Sequence, residues 1–511
     1  MPSLKNILAG LLVTAAPAAF SSAQTSPMEL LERGPHEVGF RVLDLTDHAR
    51  ALSDSFGERA RPVQLWLWYP AEDSGDGESL TLGEYLRFGT GKIGEIGYTE
   101  ARYEARIAEY EGAFRRILSP EQLGEALSRP MRAVKNAPES GGRFPLVMYA
   151  SGAPGDASDN APLLELIASH GYVVAGVGCL GLHGEQVRGA LADMEATLGD
   201  LRYGLGVASR FDNVDPERVA AMGYSWGGWA AAWLDVMDAR IDATMLHDAM
   251  PGLRFEWMTS WFESMSPEHS MRLDDTPVLD VMAGRKASML PPVPVDERRA
   301  QSVFDESPYR SGSALVLEDM DHSGFASTTL VLFGHTKVEP GKRDRAFAAA
   351  TAASLRFLDE HLRGGAPLTT ESIKPTVERM AVPGPVHVDS KRGERRPPSG
   401  AEFVALVEAE GLKAGEAEFD RARGLDPAVQ LFGPRELTVL GTAAFASGDV
   451  DGAADVIKLQ IKAYPRILRN YMDLGFIYEQ AGRTEELLET CRRMLKIDPE
   501  DPWALRRVSG D

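Results

Sequence analysis

The chain has 511 residues, 44% of them hydrophobic and 25% charged, which suits globular folding and is long enough for two or three domains. Its formal net charge of -21 opposes binding to nucleic acid or to an anionic membrane surface, both of which are themselves negative. The only cysteines, Cys179 and Cys491, fall in different expected domains, so no disulfide framework is expected and stability must come from buried cores.

At the N-terminus, Lys5 is followed by an apolar run over residues 7–20 and by Ser21, Ser22 and Ala23. This order reads as a secretory signal peptide over residues 1–23, because the run is shorter than the roughly 18 residues of a membrane span. The expectation is an exported protein, periplasmic or extracellular, with no stable membrane span after cleavage. Residues 28–382 then read as one α/β domain. Within it, residues 61–70 (RPVQLWLWYP) pass from alternating to continuously apolar, as befits a strand in the outer, antiparallel part of a sheet. Residues 100–127 carry many charges with helical spacing and predict a helical insertion over residues 79–140.

A buried-strand run, residues 144–150 (FPLVMYA), leads through Ser151, Gly152 and Ala153 to a helix over 161–170 and a strand over 172–178. Further strands are predicted at 219–224, 243–247, 277–283 and 313–317, with a helix from Ala230 onward. Such βαβ repetition implies a mostly parallel sheet flanked by helices, with ligands bound beyond the carboxyl ends of its strands.

The motif Gly223-Tyr224-Ser225-Trp226-Gly227 stands between an apolar strand and a helix of small residues, the setting of a nucleophile elbow. Glycines two residues either side of the serine are needed where a Cβ would strike the neighbouring strand or helix. A serine hydroxyl needs a base. His322 follows the last apolar strand in LEDMDHSGF and completes the order Ser, acid, His, whereas His269 and His335 follow a strand end less closely. For the acid, Asp248 at the end of TMLHD is the first choice, with Asp280 and Asp296 left open. His247 beside it reads as a structural hydrogen-bonding residue rather than a second base. Phe255, Trp257 and Trp261 either line an acyl or lipid pocket or form the packing face of a helix. The chain has no H-E-x-x-H, no C-x-x-C pair and no phosphate-cradling glycine motif, so neither metal nor cofactor is expected.

These pieces, RPVQLWLWYP, FPLVMYASG with ASHGYVVAGV, GYSWGG, LHDAMP and DHSGF, resemble the α/β-hydrolases related to platelet-activating-factor acetylhydrolases, and more distantly the dienelactone-hydrolase-like enzymes. The resemblance covers residues 34–364. It implies an α/β-hydrolase fold, Ser225 as nucleophile, Asp248 as acid, His322 as base, and an oxyanion hole from the backbone N–H groups of Ala153 and Trp226. The family usually has His-Gly after the first core strand, where this chain has Ser151-Gly152. The implied activity is hydrolysis of carboxylic esters, short-chain or phospholipid-type, with thioesters and peptide bonds open to the same machinery. A non-catalytic hydrolase fold serving protein recognition is the competing reading; retention of both nucleophile and base favours the enzyme.

Pro- and Arg-rich composition over residues 383–400 predicts an extended linker. In residues 401–511, Leu440-Gly441 recurs as Leu474-Gly475, Gly448 as Gly482, and Pro465 as Pro499, with a period of 34 that resembles tetratricopeptide repeats. Residues 403–427 read as a degenerate earlier repeat. Tyr471, Tyr478 and Cys491 are expected in the core of this helical domain, whose role is either packing and self-association or the binding of a protein partner.

Overall fold

The computed structural model describes residues 31–54, 57–73, 77–89, 118–153, 156–178, 180–183, 189–249, 274–284, 307–328, 340–380, 384–427 and 429–509, with residues 108, 112, 187 and 304. The segment read as a signal peptide, the aromatics Phe255, Trp257 and Trp261, the alternatives Asp296, His269 and His335, and Cys179 lie outside them. Two compact units divide the chain, the first ending at Glu394 and the second running from Arg395.

The first unit is built on an 11-stranded sheet in the order β11-β10-β9-β8-β7-β5-β6-β2-β1-β4-β3. Its centre is parallel: β5 (Phe144–Ala150), β6 (Val173–Val177), β7 (Val214–Tyr224), β8 (Ala243–His247), β9 (Val278–Ala283) and β10 (Gly312–Leu317). Almost every residue of these strands is buried, because helices cover both faces and leave no solvated side to alternate toward. On one face Trp66, Trp68, Val147, Tyr149, Val174 and Met222 share a core with helices α3 (Ala161–Ser169) and α6 (Pro340–Arg363). Toward the other face Gly204 of α4 (Leu191–Ala208) packs against Leu65, Met148 and Val177, closely enough that a Cβ would stand 2.9 Å from the valine methyl. This mostly parallel sheet between helical layers is the α/β-hydrolase arrangement expected from the sequence.

The antiparallel part is a long ribbon of β1 (Glu37–Asp54) and β2 (Gly57–Ala71), joined to β6 through Leu65 to Trp68. The expected helical insertion at 79–140 is corrected here. Two of its segments, β3 (Ser79–Thr81) and β4 (Pro130–Lys135), extend the sheet, β4 running parallel to β1. Between them stand α1 (Leu82–Gly89) and α2 (Pro120–Leu127), which pack Leu82, Leu86, Leu118 and Leu123 together. The stretch read as charged and helical, residues 100–127, ends in α2, and most of it lies outside the described residues; the two short strands flank it on either side. A buried chain of hydrogen bonds ties the insertion down: Trp68 Nε1 donates to Tyr85 Oη, which donates to Glu165 Oε1, and Glu165 also accepts the N–H groups of Arg132 and Ala133.

The expected linker at 383–400 also differs. Residues 389–391 form β11 (Asp389–Lys391), antiparallel to β10, and Gly393 and Glu394 donate to Ser311 Oγ and the Pro308 carbonyl. The open edge of β10 offers unpaired backbone groups, and satisfying them outweighs a composition that by itself favours extended, solvated chain.

In the second unit α7 (Gly400–Glu410) and α8 (Leu412–Leu425) form a helical pair, as do α9 (Thr438–Ala446) with α10 (Val450–Ala463) and α11 (Leu468–Gln480) with α12 (Thr484–Leu495), followed by α13 (Pro502–Ser509). The 34-residue spacing has a physical basis. Gly448 and Gly482 turn the chain with φ of +89° and +69°, while Gly441 and Gly475 let Ile457 and Leu487 of the following helix approach. Tyr471, Tyr478 and Cys491 are buried in this core. Among the described residues no helix is long and apolar enough to cross a membrane.

A buried carboxylate, Asp200, shared by Arg61 and by Arg50 Nη2 at 2.7 Å, holds the carboxyl edge of the first unit. Arg61 on β2, 2% exposed, donates Nε and Nη2 to the two carboxylate oxygens of Asp200 on α4 at 2.6 and 2.7 Å, and also reaches the carbonyls of Leu180 and Gly181 after β6. Removing one partner strands a buried charge. Asp200→Ala is expected to cost about 3–5 kcal/mol in urea denaturation, whereas the paired change Arg61→Met with Asp200→Leu costs far less.

Candidate active site

Three residues from separate elements converge beyond the carboxyl ends of the central strands. Ser225 sits between β7 and α5 (Trp226–Met237) with φ +56° and ψ −120°, a region that L side chains rarely occupy. The turn is tight because the chain on both sides lacks Cβ atoms. One added at Gly223 would stand 2.0 Å from the Gly227 carbonyl oxygen, and one added at Gly227 would stand 2.0 Å from the Ala150 carbonyl oxygen. The two glycines of the motif are therefore steric requirements, and the elbow expected from the sequence is present in this geometry.

Asp248 follows β8 with φ +43°, the second strained backbone at this site. Its N–H bonds the Val281 carbonyl at 2.7 Å, and its Oδ1 accepts the Ala283 N–H at 3.1 Å, so the end of β9 sets the carboxylate's direction. His322 opens a short helical turn, His322–Phe325, directly after β10, and Asp321 fixes that turn by accepting the Gly324 N–H at 3.0 Å.

His322 joins the other two. Its Nδ1 lies 2.6 Å from Asp248 Oδ2 and its Nε2 lies 3.0 Å from Ser225 Oγ. A carboxylate only accepts, so Nδ1 carries the proton and Nε2 is left to accept the serine O–H. Ser225 is buried at 8% exposure, and the His322 side chain is 13% exposed. Of the carboxylates that the sequence offered, Asp248 is the one brought to His322; Asp280 lies within β9, paired in register with Leu246 and Ala314, and Asp296 lies outside the described residues.

Residues that the sequence reading missed hold this chain in place. Tyr224 donates its hydroxyl to the His322 carbonyl at 2.9 Å, and its ring lies 5.0 Å from the imidazole. Burial, with the Asp248 carboxylate nearby, pushes the phenol well above its ordinary range and keeps it a donor. Buried Asn160 bridges two loops: Oδ1 accepts the Ser327 N–H at 2.8 Å and Nδ2 donates to Tyr149 Oη at 2.6 Å. Thr328, beyond the His322 turn, donates to the Ser158 carbonyl at 2.5 Å. A buried asparagine before an apolar helix was the one available signal, and its partner lies 167 positions away.

Ala153 is half-buried in the turn after β5. Its neighbour Gly152 lies against the Tyr224 ring, so that an added Cβ would stand 2.9 Å from the ring and 3.4 Å from Ser225 Cβ. Trp226 is the first residue of α5, and its indole N–H donates to Thr197 Oγ1 at 3.3 Å. Among the described residues no cluster of metal-ligating side chains occurs.

No family model matches the chain, and no curated protein matches it in sequence. Among solved structures it is similar to a ferulic acid esterase from Streptomyces cinnamoneus, at 19% identity and a TM-score of 0.44, over 74% of this chain and 98% of that one. A likeness this distant carries nothing about substrate; the fold rests on the topology above.

His247 adds a pH dependence. It is 1% exposed, and burial brings its imidazole down to about 4, against the smaller opposing pull of Asp248. Above pH 6.5 it is neutral folded and unfolded; between 6.5 and about 4 the unfolded chain takes up a proton that the folded chain refuses. Stability therefore falls as pH drops through that window, by up to about 3 kcal/mol from this group. Thermal unfolding from pH 7 to pH 4 should show a shallower loss in His247→Leu than in the wild type.

Proposed function

We propose that this protein is a serine hydrolase of carboxylic esters. The single observation that carries the reading is the directional chain Ser225 Oγ to His322 Nε2 and His322 Nδ1 to Asp248, on a strained elbow at the carboxyl end of the sheet.

In the reaction His322 takes the Ser225 proton as Oγ attacks the ester carbonyl carbon, and the carbonyl electron pair moves onto oxygen. Asp248 holds the Nδ1–H tautomer and stabilises the imidazolium that forms. Collapse of the tetrahedral species breaks the bond to the alcohol oxygen, to which His322 returns the proton. Water then repeats the sequence on the acyl-serine and releases the acid. The backbone N–H groups of Ala153 and Trp226 are assigned to the developing oxyanion, and the dipole of α5 adds positive potential at its N-terminus. Loss of one such donor typically costs about 100- to 1000-fold in turnover.

The substrates proposed are short-chain acyl or phospholipid-type esters, as the resemblance to platelet-activating-factor acetylhydrolases implies, with Phe255, Trp257 and Trp261 as the apolar wall. Residues 1–23 support export to the periplasm or medium. The tetratricopeptide-like helices are proposed to stabilise the protein or its self-association, and secondarily to hold a protein partner.

Hydrolysis of p-nitrophenyl acetate, butyrate and octanoate by the mature protein, with fluorophosphonate labelling, tests this. Serine-dependent labelling and turnover are expected, with kcat at least about 10,000-fold lower in Ser225→Ala and about 10,000-fold lower in Asp248→Asn. A folded wild type that neither labels nor turns over any of the three esters would sink the enzymatic reading.

A further inference from the structure

His247 is linked to Ser225, to Asp248 and to the turn that carries His322. Its carbonyl accepts the Ser225 N–H at 3.0 Å, and it immediately precedes Asp248. Its ring lies 5.7 Å from that of Phe325, the last residue of the turn that carries His322. Away from these contacts its Nε2 stands 2.9 Å from Ser354 Oγ on α6. Ser354 donates its one proton to the Ala350 carbonyl at 2.8 Å, so its oxygen accepts from the imidazole, and His247 is the neutral tautomer with hydrogen on Nε2.

We propose that His247 is a positioning residue for the reaction: anchored to α6 through Ser354, it fixes the end of β8 and the His322 turn relative to Ser225. This rests on the serine-hydrolase reading above. The strained φ of Asp248 persists only where the surroundings over-determine it. Bonds to Val281 and Ala283 hold Asp248 from the β9 side. On the other side the anchored ring of His247 keeps the strand end from rotating, and through Phe325 it limits the swing of the His322 turn. A neutral ring suits this role, since an imidazolium here would compete with His322 for the Asp248 carboxylate.

The test compares wild type, His247→Gln, His247→Leu, Ser354→Ala and the double variant His247→Leu with Ser354→Ala, using p-nitrophenyl butyrate. Each preparation is titrated with fluorophosphonate, so that kcat is counted per reactive serine and misfolded protein does not enter. Glutamine keeps an N–H that reaches toward Ser354; leucine keeps bulk without the donor. His247→Leu is expected to lose about 10- to 100-fold in kcat with KM within about twofold, because small misplacement of reacting groups acts on the chemical step. His247→Gln recovers most of that loss, and the double variant is no worse than His247→Leu alone, since both remove one anchor. An unchanged kcat in His247→Leu, a loss carried by KM, or a glutamine variant no better than leucine would overturn the proposal. If the leucine variant does not fold, His247→Gln near wild type beside a Ser354→Ala loss of about tenfold supports the proposal, and an unimpaired Ser354→Ala overturns it. Failure of the wild type itself to label or turn over removes the hydrolase reading first, and the proposal with it.

Discussion

The constraint on which the site depends is the absence of room at the β7–α5 corner. Backbone oxygens of Gly227 and Ala150 stand where Cβ atoms at Gly223 and Gly227 would be. The helix can therefore start directly on the strand end, and Ser225 is driven into a backbone conformation costing roughly 1–3 kcal/mol. The surrounding sheet supplies that energy: β7 is buried between β5 and β8, and the Ser225 N–H is bonded to the His247 carbonyl. A side chain held this way projects beyond the sheet, where residues from other strand ends can meet it.

Direction in the hydrogen bonding follows from the same arrangement. Asp248 is aimed by the end of β9, His322 by a turn that Asp321 caps, and the His322 carbonyl by Tyr224, the residue before Ser225. Each of these groups has its donor and acceptor roles fixed by a partner, so the imidazole proton sits on Nδ1 and the serine proton faces Nε2. Asn160 and Thr328 bind the loop beyond His322 to the segment after β5.

The two differences between sequence expectation and fold arise at the sheet's edges. Ser79–Thr81, Pro130–Lys135 and Asp389–Lys391 are strands of three to six residues in charged or proline-rich surroundings. None carries enough residues for a period of two to stand out. What makes them strands is a neighbour distant in sequence, β4 for β3, β1 for β4 and β10 for β11, with backbone groups to satisfy. The longer central strands were legible because burial on both faces writes an apolar run directly into the chain, as in FPLVMYA and VVAGV.

The sequence by itself determined the parallel core, the elbow and the 34-residue helical repeat, because each is set by local physics: apolar runs, glycines where a Cβ has no space, and small residues at fixed spacing. It named Ser225 and His322 through their positions at strand ends. Among Asp248, Asp280 and Asp296 it ranked without deciding, since any of several carboxylates meets the chemical requirement. Only the tertiary structure shows Asp248 beside His322, along with the Tyr224, Asn160 and Ser354 contacts, because hydrogen-bond partners separated by 74 to 167 residues are selected by strand register and loop packing. No local pattern encodes that geometry.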